Sequence, residues 1–211
     1  MRTATSGRPG SSHVPYLYDL DTLRDLRRAV STLPIDPLSV EILRRGWSDP
    51  PRAVAVLAGA FNPLTVAHLA LARAALRRAG VDAVVLSVSR RTVDKEAVER
   101  ASLVDRLLVL CRQVESAPRL GLALVAQGLY VDQALAYRRR LPRLQRLFFV
   151  VGFDKLVQIL DGRYYADRDA ALDRLFSHAS LLVAPRDGGD ERHVADLLRR
   201  PENRRYASAV R

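Results

Sequence analysis

The chain has one cysteine, one methionine and one tryptophan in 211 residues, and of its 34 basic residues only Lys95 and Lys155 are lysines. A single Cys111 excludes an internal disulfide and any paired-cysteine zinc motif; within a leucine-rich helical pattern it reads as a small core residue rather than a nucleophile. Long apolar runs are also missing. The stretches 53–61 and 146–151 fall well short of the roughly 18 residues that a membrane-spanning helix requires. The first fifteen residues are polar and lack the apolar stretch of a secretory signal, so the cytosol is the expected compartment and no membrane partner is expected.

Charge is the one strong bias. A formal net charge of +11 raises nucleic acid as a partner, yet aromatic residues make up only 6% of the chain. The arginines recur in short groups along the whole sequence (27–28, 44–45, 77–78, 138–140, 199–200, 204–205) rather than in one basic block. No aromatic-rich RNA-binding strand accompanies them, so solvated helix faces are the expected reading and no specific nucleic acid is expected. Where arginine is written almost everywhere, Lys95 and Lys155 hint at places that favour a compact ammonium.

Periodicity divides the chain into three parts. Residues 1–15 read as a flexible tail and 16–51 as a helical lead-in. In the lead-in, one helix is expected over 21–32. A second is expected after Asp36 as N-cap and Pro37 at the first helical position, with Gly46 just past its end. Residues 52–211 then alternate short apolar runs (53–57, 81–88, 120–126, 147–151, 181–184) with helical patterns (66–78, 101–114, 131–140, 154–160, 167–176). Strands that are apolar throughout, separated by helices, imply an α/β domain whose parallel sheet is covered on both faces. Ligands of such sheets bind beyond the carboxyl ends of the strands, which directs attention to the loops after 57, 88, 126 and 151.

The first of these loops carries Gly59, Ala60, Phe61, Asn62, Pro63, Thr65 and His68. A glycine there permits close approach of a phosphate to the main chain. Thr65 suits an N-cap, which puts His68 in the first turn, where unpaired N–H groups and the helix dipole favour an anion. An imidazole at that place is suited to stabilise charge on a leaving pyrophosphate. Neither the Gly-x-Gly-x-x-Gly fingerprint nor the Walker pattern is present.

Gly59-x-Phe61-Asn62-Pro63-x-Thr65-x-x-His68 resembles the first motif of the nucleotidylyltransferase superfamily, with Ala67 where that family usually has glycine. The resemblance continues at Val93-Asp94-Lys95, similar to a lysine-bearing substrate loop, and at Arg106 in the following helix. It extends to Gly152-Phe153-Asp154, similar to a Gly-x-Asp motif, to the Tyr164-Tyr165 pair, and to Leu181–Arg186, similar to a strand ending in Pro-Arg. It covers about residues 52–190 and is closest to the nicotinate and nicotinamide mononucleotide adenylyltransferases. No clear copy of the family's last motif, Ile-Ser-Ser-Thr-x-x-Arg, is found, although Ser208 and Arg211 stand at compatible spacing.

The resemblance implies a Rossmann-like doubly wound sheet and transfer of AMP from ATP to a pyridine mononucleotide, with Mg2+ accompanying ATP and no dedicated protein metal site. It implies His68, Thr65 and Lys95 as catalytic groups, and Gly59, Ala60, Phe61, Asn62, Gly152 and Asp154 as nucleotide-binding. Tyr164, Tyr165 and Arg106 are its candidate acceptor contacts. Asp154 reads equally well as a helix N-cap, and the tyrosine pair equally well as packing. Another phosphorylated acceptor or a non-catalytic nucleotide-binding relative stays open, as do the choice between nicotinate and nicotinamide and the oligomeric state.

Overall fold

Alternation of side chains across a pleated strand decides how this chain folds, because both sets of alternating positions are apolar. In the computed structural model, which describes residues 20–78, 80–90, 101–126, 128–184 and 190–211, six strands form one sheet. They are β1 (Val40–Arg44), β2 (Ala53–Ala58), β3 (Ala83–Ser89), β4 (Leu120–Val125), β5 (Arg146–Gly152) and β6 (Ser180–Ala184). Ala53, Ala55 and Leu57 of β2 enter one core, while Val54 and Val56 enter the other. Helices α1 (Leu20–Thr32), α2 (Val66–Arg77) and α3 (Leu103–Glu115) pack on the first face. On the second lie α4 (Tyr130–Arg140), α5 (Phe153–Leu160), α6 (Arg168–His178) and α7 (Asp190–Arg199). Two covered faces explain why the strands read as continuous apolar runs. Among the described residues no helix is long and apolar enough to cross a membrane.

The strand order is β1-β4-β3-β2-β5-β6, with β2 to β6 parallel to their neighbours. The chain runs outward from β2 through β3 to β4, then crosses back to place β5 on the other side of β2. That reversal opens a crevice above the carboxyl ends of β2 and β5, the usual ligand position in a doubly wound sheet. The register pairs Leu57 with Val150, so two residues further along each strand lie Gly59 and Gly152.

The lead-in departs from expectation. The first helix forms over Leu20–Thr32, but the second does not: Val40–Arg44 is a strand, antiparallel to β4. β-Branched Val40 and Ile42, two residues apart, fit a pleated surface better than a helix. Gly46 is not a helix stop either. A Cβ there would fall 2.1 Å from the Leu120 carbonyl oxygen, so glycine allows the chain leaving β1 to press on β4. The register of β1 slips between Ile42 and Arg44, marking a bulge. The expectation for 1–15 lies outside the described residues.

At the opposite edge, Val210 bridges to Leu181 in parallel. Arg211 donates its N–H to the Leu181 carbonyl (3.0 Å) and accepts from the Val183 N–H (2.8 Å). The guanidinium of Arg211 sits 5.8 Å from the Phe148 ring centroid, while Ser208 is exposed in the short 3-10 helix Arg204–Ala209.

Candidate active site

The loop between β2 and α2 folds around its own aromatic ring. Gly59 donates its N–H to the Ser87 carbonyl on β3 (3.0 Å). Phe61 then takes a positive φ of 46° and turns its side chain inward, where it is buried. A Cβ on Gly59 would lie 3.1 Å from that ring, so the position of the ring itself favours glycine here. The Asn62–Pro63 peptide is cis. From α3, Arg106 donates to the Ala60 carbonyl at 2.7 Å and holds the loop from the side.

Thr65 is the N-cap of α2, and His68 completes a capping box in which an imidazole replaces the usual carboxylate or amide. His68 N–H donates to Thr65 Oγ1 (3.4 Å), while Nδ1 accepts from the Thr65 backbone N–H (3.1 Å) and lies 2.8 Å from its hydroxyl. A ring nitrogen that accepts a backbone N–H carries no proton, so the proton of the neutral ring resides on Nε2. The cap therefore fixes the tautomer and leaves Nε2–H as a donor. Phe61 meets the imidazole edge to face, with centroids 5.1 Å apart. Partial burial pushes the His68 pKa below 6.5, favouring this neutral donor.

A pH dependence follows. With the folded pKa lowered, the unfolded chain takes up the proton first as pH falls, so the contribution of His68 to stability is present above 6.5 and lost as pH drops through the folded value. The urea midpoint should fall between about pH 7.5 and pH 5.5, and His68→Gln should flatten that fall, because an amide keeps the cap without titrating. An unchanged pH profile in the variant would show that the cap does not feel the imidazole proton.

Across the crevice, β5 ends at Gly152, which is the N-cap of α5. Asp154, also read as an N-cap, is instead in the first turn and exposed. Gly152 has an ordinary φ of −83°, and a Cβ on it would meet nothing within 4 Å. No neighbouring residue and no backbone strain demands glycine here. Lys155 is exposed and its Nζ contacts Gln158 Oε1 in its own helix.

The remaining candidates separate. Tyr165 is half-buried in the second core and donates its hydroxyl to the Ile159 carbonyl (2.7 Å); burial pushes its pKa up to about 12. Tyr164 is 39% exposed, and of the pair it is the one with surface to offer. Lys95 lies outside the described residues, as does the Pro-Arg end of the 181–186 segment. Sequence reasoning missed Arg90 at the end of β3, which donates to the carbonyls of Val30 (3.3 Å) and Leu33 (3.0 Å). It ties the carboxyl end of α1 to the crevice side of the sheet, where a cation complements the helix dipole. Its signal was an arginine just past an apolar strand.

A protein of Schizosaccharomyces pombe named "Putative nicotinamide mononucleotide adenylyltransferase" is 28% identical over 148 residues, covering 66% of this chain and 55% of that protein. The chain thus spans about half the length of this curated relative. Two solved structures of the nicotinic acid mononucleotide adenylyltransferase of Plasmodium falciparum are similar. The one complexed with APC has a TM-score of 0.42 and 12% identity, and covers 64% of this chain and 76% of that one. The one complexed with NaAD has a TM-score of 0.44 and 13% identity, and covers 74% and 89%. Residues 56–209, which include the capped histidine loop and the β5 end, match the cytidylyltransferase-like family, and the chain belongs to that family.

Proposed function

We propose that the protein transfers the adenylyl group of ATP to nicotinate or nicotinamide mononucleotide, releasing pyrophosphate. The observation that carries this reading is the His68 Nε2–H, fixed as a donor by the Thr65 cap at the start of α2, above the crevice between β2 and β5. An acceptor phosphate oxygen attacks the α-phosphorus in line, and the bond from that phosphorus to the bridging oxygen breaks. Charge grows on the departing pyrophosphate. A neutral donor aimed at that charge, together with the N–H groups of the α2 first turn, stabilises it without a protein nucleophile.

The other residues take supporting roles. Arg106 shapes the loop through the Ala60 carbonyl, Asp154 holds the nucleotide ribose or base, and Lys95 neutralises a phosphate. Tyr164 faces the acceptor in preference to Tyr165, whose hydroxyl is already engaged. Magnesium enters on the triphosphate as part of the substrate, retaining much of its water. Among the described residues no group of three or more His, Cys, Asp or Glu is placed to hold a metal ion.

Pyrophosphate release should be measured with ATP or CTP against nicotinate mononucleotide, nicotinamide mononucleotide and phosphopantetheine. ATP with a pyridine mononucleotide should be the productive pair. Turnover with CTP alone, or ATP binding with no product from any acceptor, would overturn the reading. A second check uses the open space at Gly152. Gly152→Ala should leave stability within about 1 kcal/mol of the parent, since its φ suits any residue, yet weaken ATP binding about tenfold or more. Unchanged ATP affinity would mean that no ligand approaches this backbone.

A further inference from the structure

The arginines that look scattered in sequence converge in the fold. Parallel strands all begin at one edge of the sheet, and the helices before them end there, so the turns opposite the crevice collect residues far apart in sequence. Arg45, Arg52, Arg78, Arg119, Arg143 and Arg146 all occupy these turns and are all exposed. The last turns of α2, α3 and α4 bring further arginines to the same edge. Carboxylates in these turns are few and already engaged. Asp82 Oδ2 accepts the backbone N–H groups of Arg52 (2.9 Å) and Ala53 (2.8 Å), and Glu115 is paired with Arg44 (3.6 Å) and Arg112 (3.8 Å). Among the described residues, none of the six turn arginines forms an ion pair.

Two ordinary causes of an arginine excess fall short of this pattern. Genome composition raises the number of arginines without placing them on one edge. The helix dipole accounts for cations in helix last turns. It does not account for Arg45, Arg52, Arg119, Arg143 and Arg146, which lie outside helices.

The surface is also shaped. Between the starts of β2 and β5 lies a polar hollow of about 540 Å³, with Arg52 and Arg143 on its walls, Gln145 beside them, and one carboxylate, Asp49, which accepts from the Ser48 hydroxyl (3.2 Å). Arg119 and Arg146 extend the charge on both sides: Arg119 Nε donates to the Asp82 carbonyl (2.7 Å), and the Arg146 guanidinium lies over Gly80. From β4 to β5 this basic edge crosses three strand spacings, about 14 Å, comparable to the width of a duplex major groove, about 12 Å.

We infer that this edge binds the phosphate backbone of a nucleic-acid duplex without reading its sequence, at a site opposite and separate from the crevice. Guanidinium groups match phosphate oxygens in a planar, two-pronged geometry. None of the exposed large apolar side chains stands in these turns, which disfavours both a membrane surface, where apolar anchors accompany basic residues, and stacking on single-stranded bases. The inference does not depend on the proposed transfer reaction.

Fluorescence anisotropy with a labelled RNA or DNA duplex of about 20 base pairs, titrated across salt, tests it. The triple variant Arg52→Gln/Arg78→Gln/Arg143→Gln should bind at least about tenfold more weakly, and its log–log salt slope should be shallower by roughly 2.7, about 0.9 for each phosphate contact removed. Arg27→Gln/Arg28→Gln/Arg192→Gln removes the same charge from α1 and α7 and should bind like the parent. Thermal melting temperatures should be alike in all three proteins, which shows that the variants fold. An equal loss in both variants would reduce the effect to net charge and overturn the inference. No duplex binding at about 0.1 M salt, or binding to anionic vesicles that duplex does not displace, would overturn it as well.

Discussion

Replacing His68 with glutamate should leave the protein as stable as the parent and lower adenylyl transfer by about 10³-fold or more. The result separates the capping job of the imidazole from its proposed role in transfer. As the third residue of α2, His68 accepts the Thr65 N–H, and a carboxylate does this equally well, being the usual partner in a capping box. A negative charge in the first turn also suits the helix dipole, by about 0.3–1 kcal/mol. The Nε2–H donor is lost, however, and in the proposed reaction a carboxylate would meet the triphosphate in its place. His68→Ala should behave differently, losing about 1 kcal/mol with the cap as well as activity. Thermal melts and pyrophosphate release on the three proteins distinguish the cases. A glutamate variant that keeps near-parental turnover would remove the Nε2 donor from the mechanism.

The largest loss of stability is expected at Phe149, in the middle of β5 and fully buried. Its ring meets Tyr130 edge to face at 4.9 Å and Tyr137 at 6.5 Å, joining α4 to the sheet just below the Gly152 turn. Phe149→Ala removes that joint and leaves a cavity, for a loss of about 3–5 kcal/mol in urea unfolding. Against a total stability of about 5–15 kcal/mol, this is a large share. Phe149→Leu refills most of the volume and should lose much less, about 1.5 kcal/mol or below. The tyrosines define the surroundings: burial raises the Tyr130 pKa to about 12, and for Tyr137 burial outweighs the lowering effect of Ser87 and also raises it. A loss below about 1 kcal/mol in the alanine variant would show that α4 is held elsewhere.

The strands, the helices of the α/β part and the phosphate-favouring loop were legible in the sequence because each is a local property. Val54, Val56 and their neighbours make an apolar run whatever lies beside them, and Thr65 followed three residues on by His68 signals a helix start on its own. What was not legible depends on contacts distant in sequence. Residues 36–46 carry acceptable helix punctuation, and only pairing with β4 makes Val40–Arg44 a strand. The position of Arg106 under Ala60, 46 residues away, had no local signature. Tyr165 reads from the sequence equally as a ligand contact or as packing, and only its fold-dependent contact with the Ile159 carbonyl distinguishes it from Tyr164. Dispersed arginines gave no hint of a shared edge, since only the strand order gathers them.

The two outer borders of the sheet bear on how copies of the protein behave beside one another. A strand with an open row of N–H and C=O groups invites a second chain to add to it, and stacking of such chains leads to aggregates. Here one border is the five-residue β1, interrupted by its bulge and carrying Glu41 and Arg44. The other is β6, whose outer groups are partly taken by Val210 and Arg211. Neither border offers a long flat template on which a second copy could add a strand.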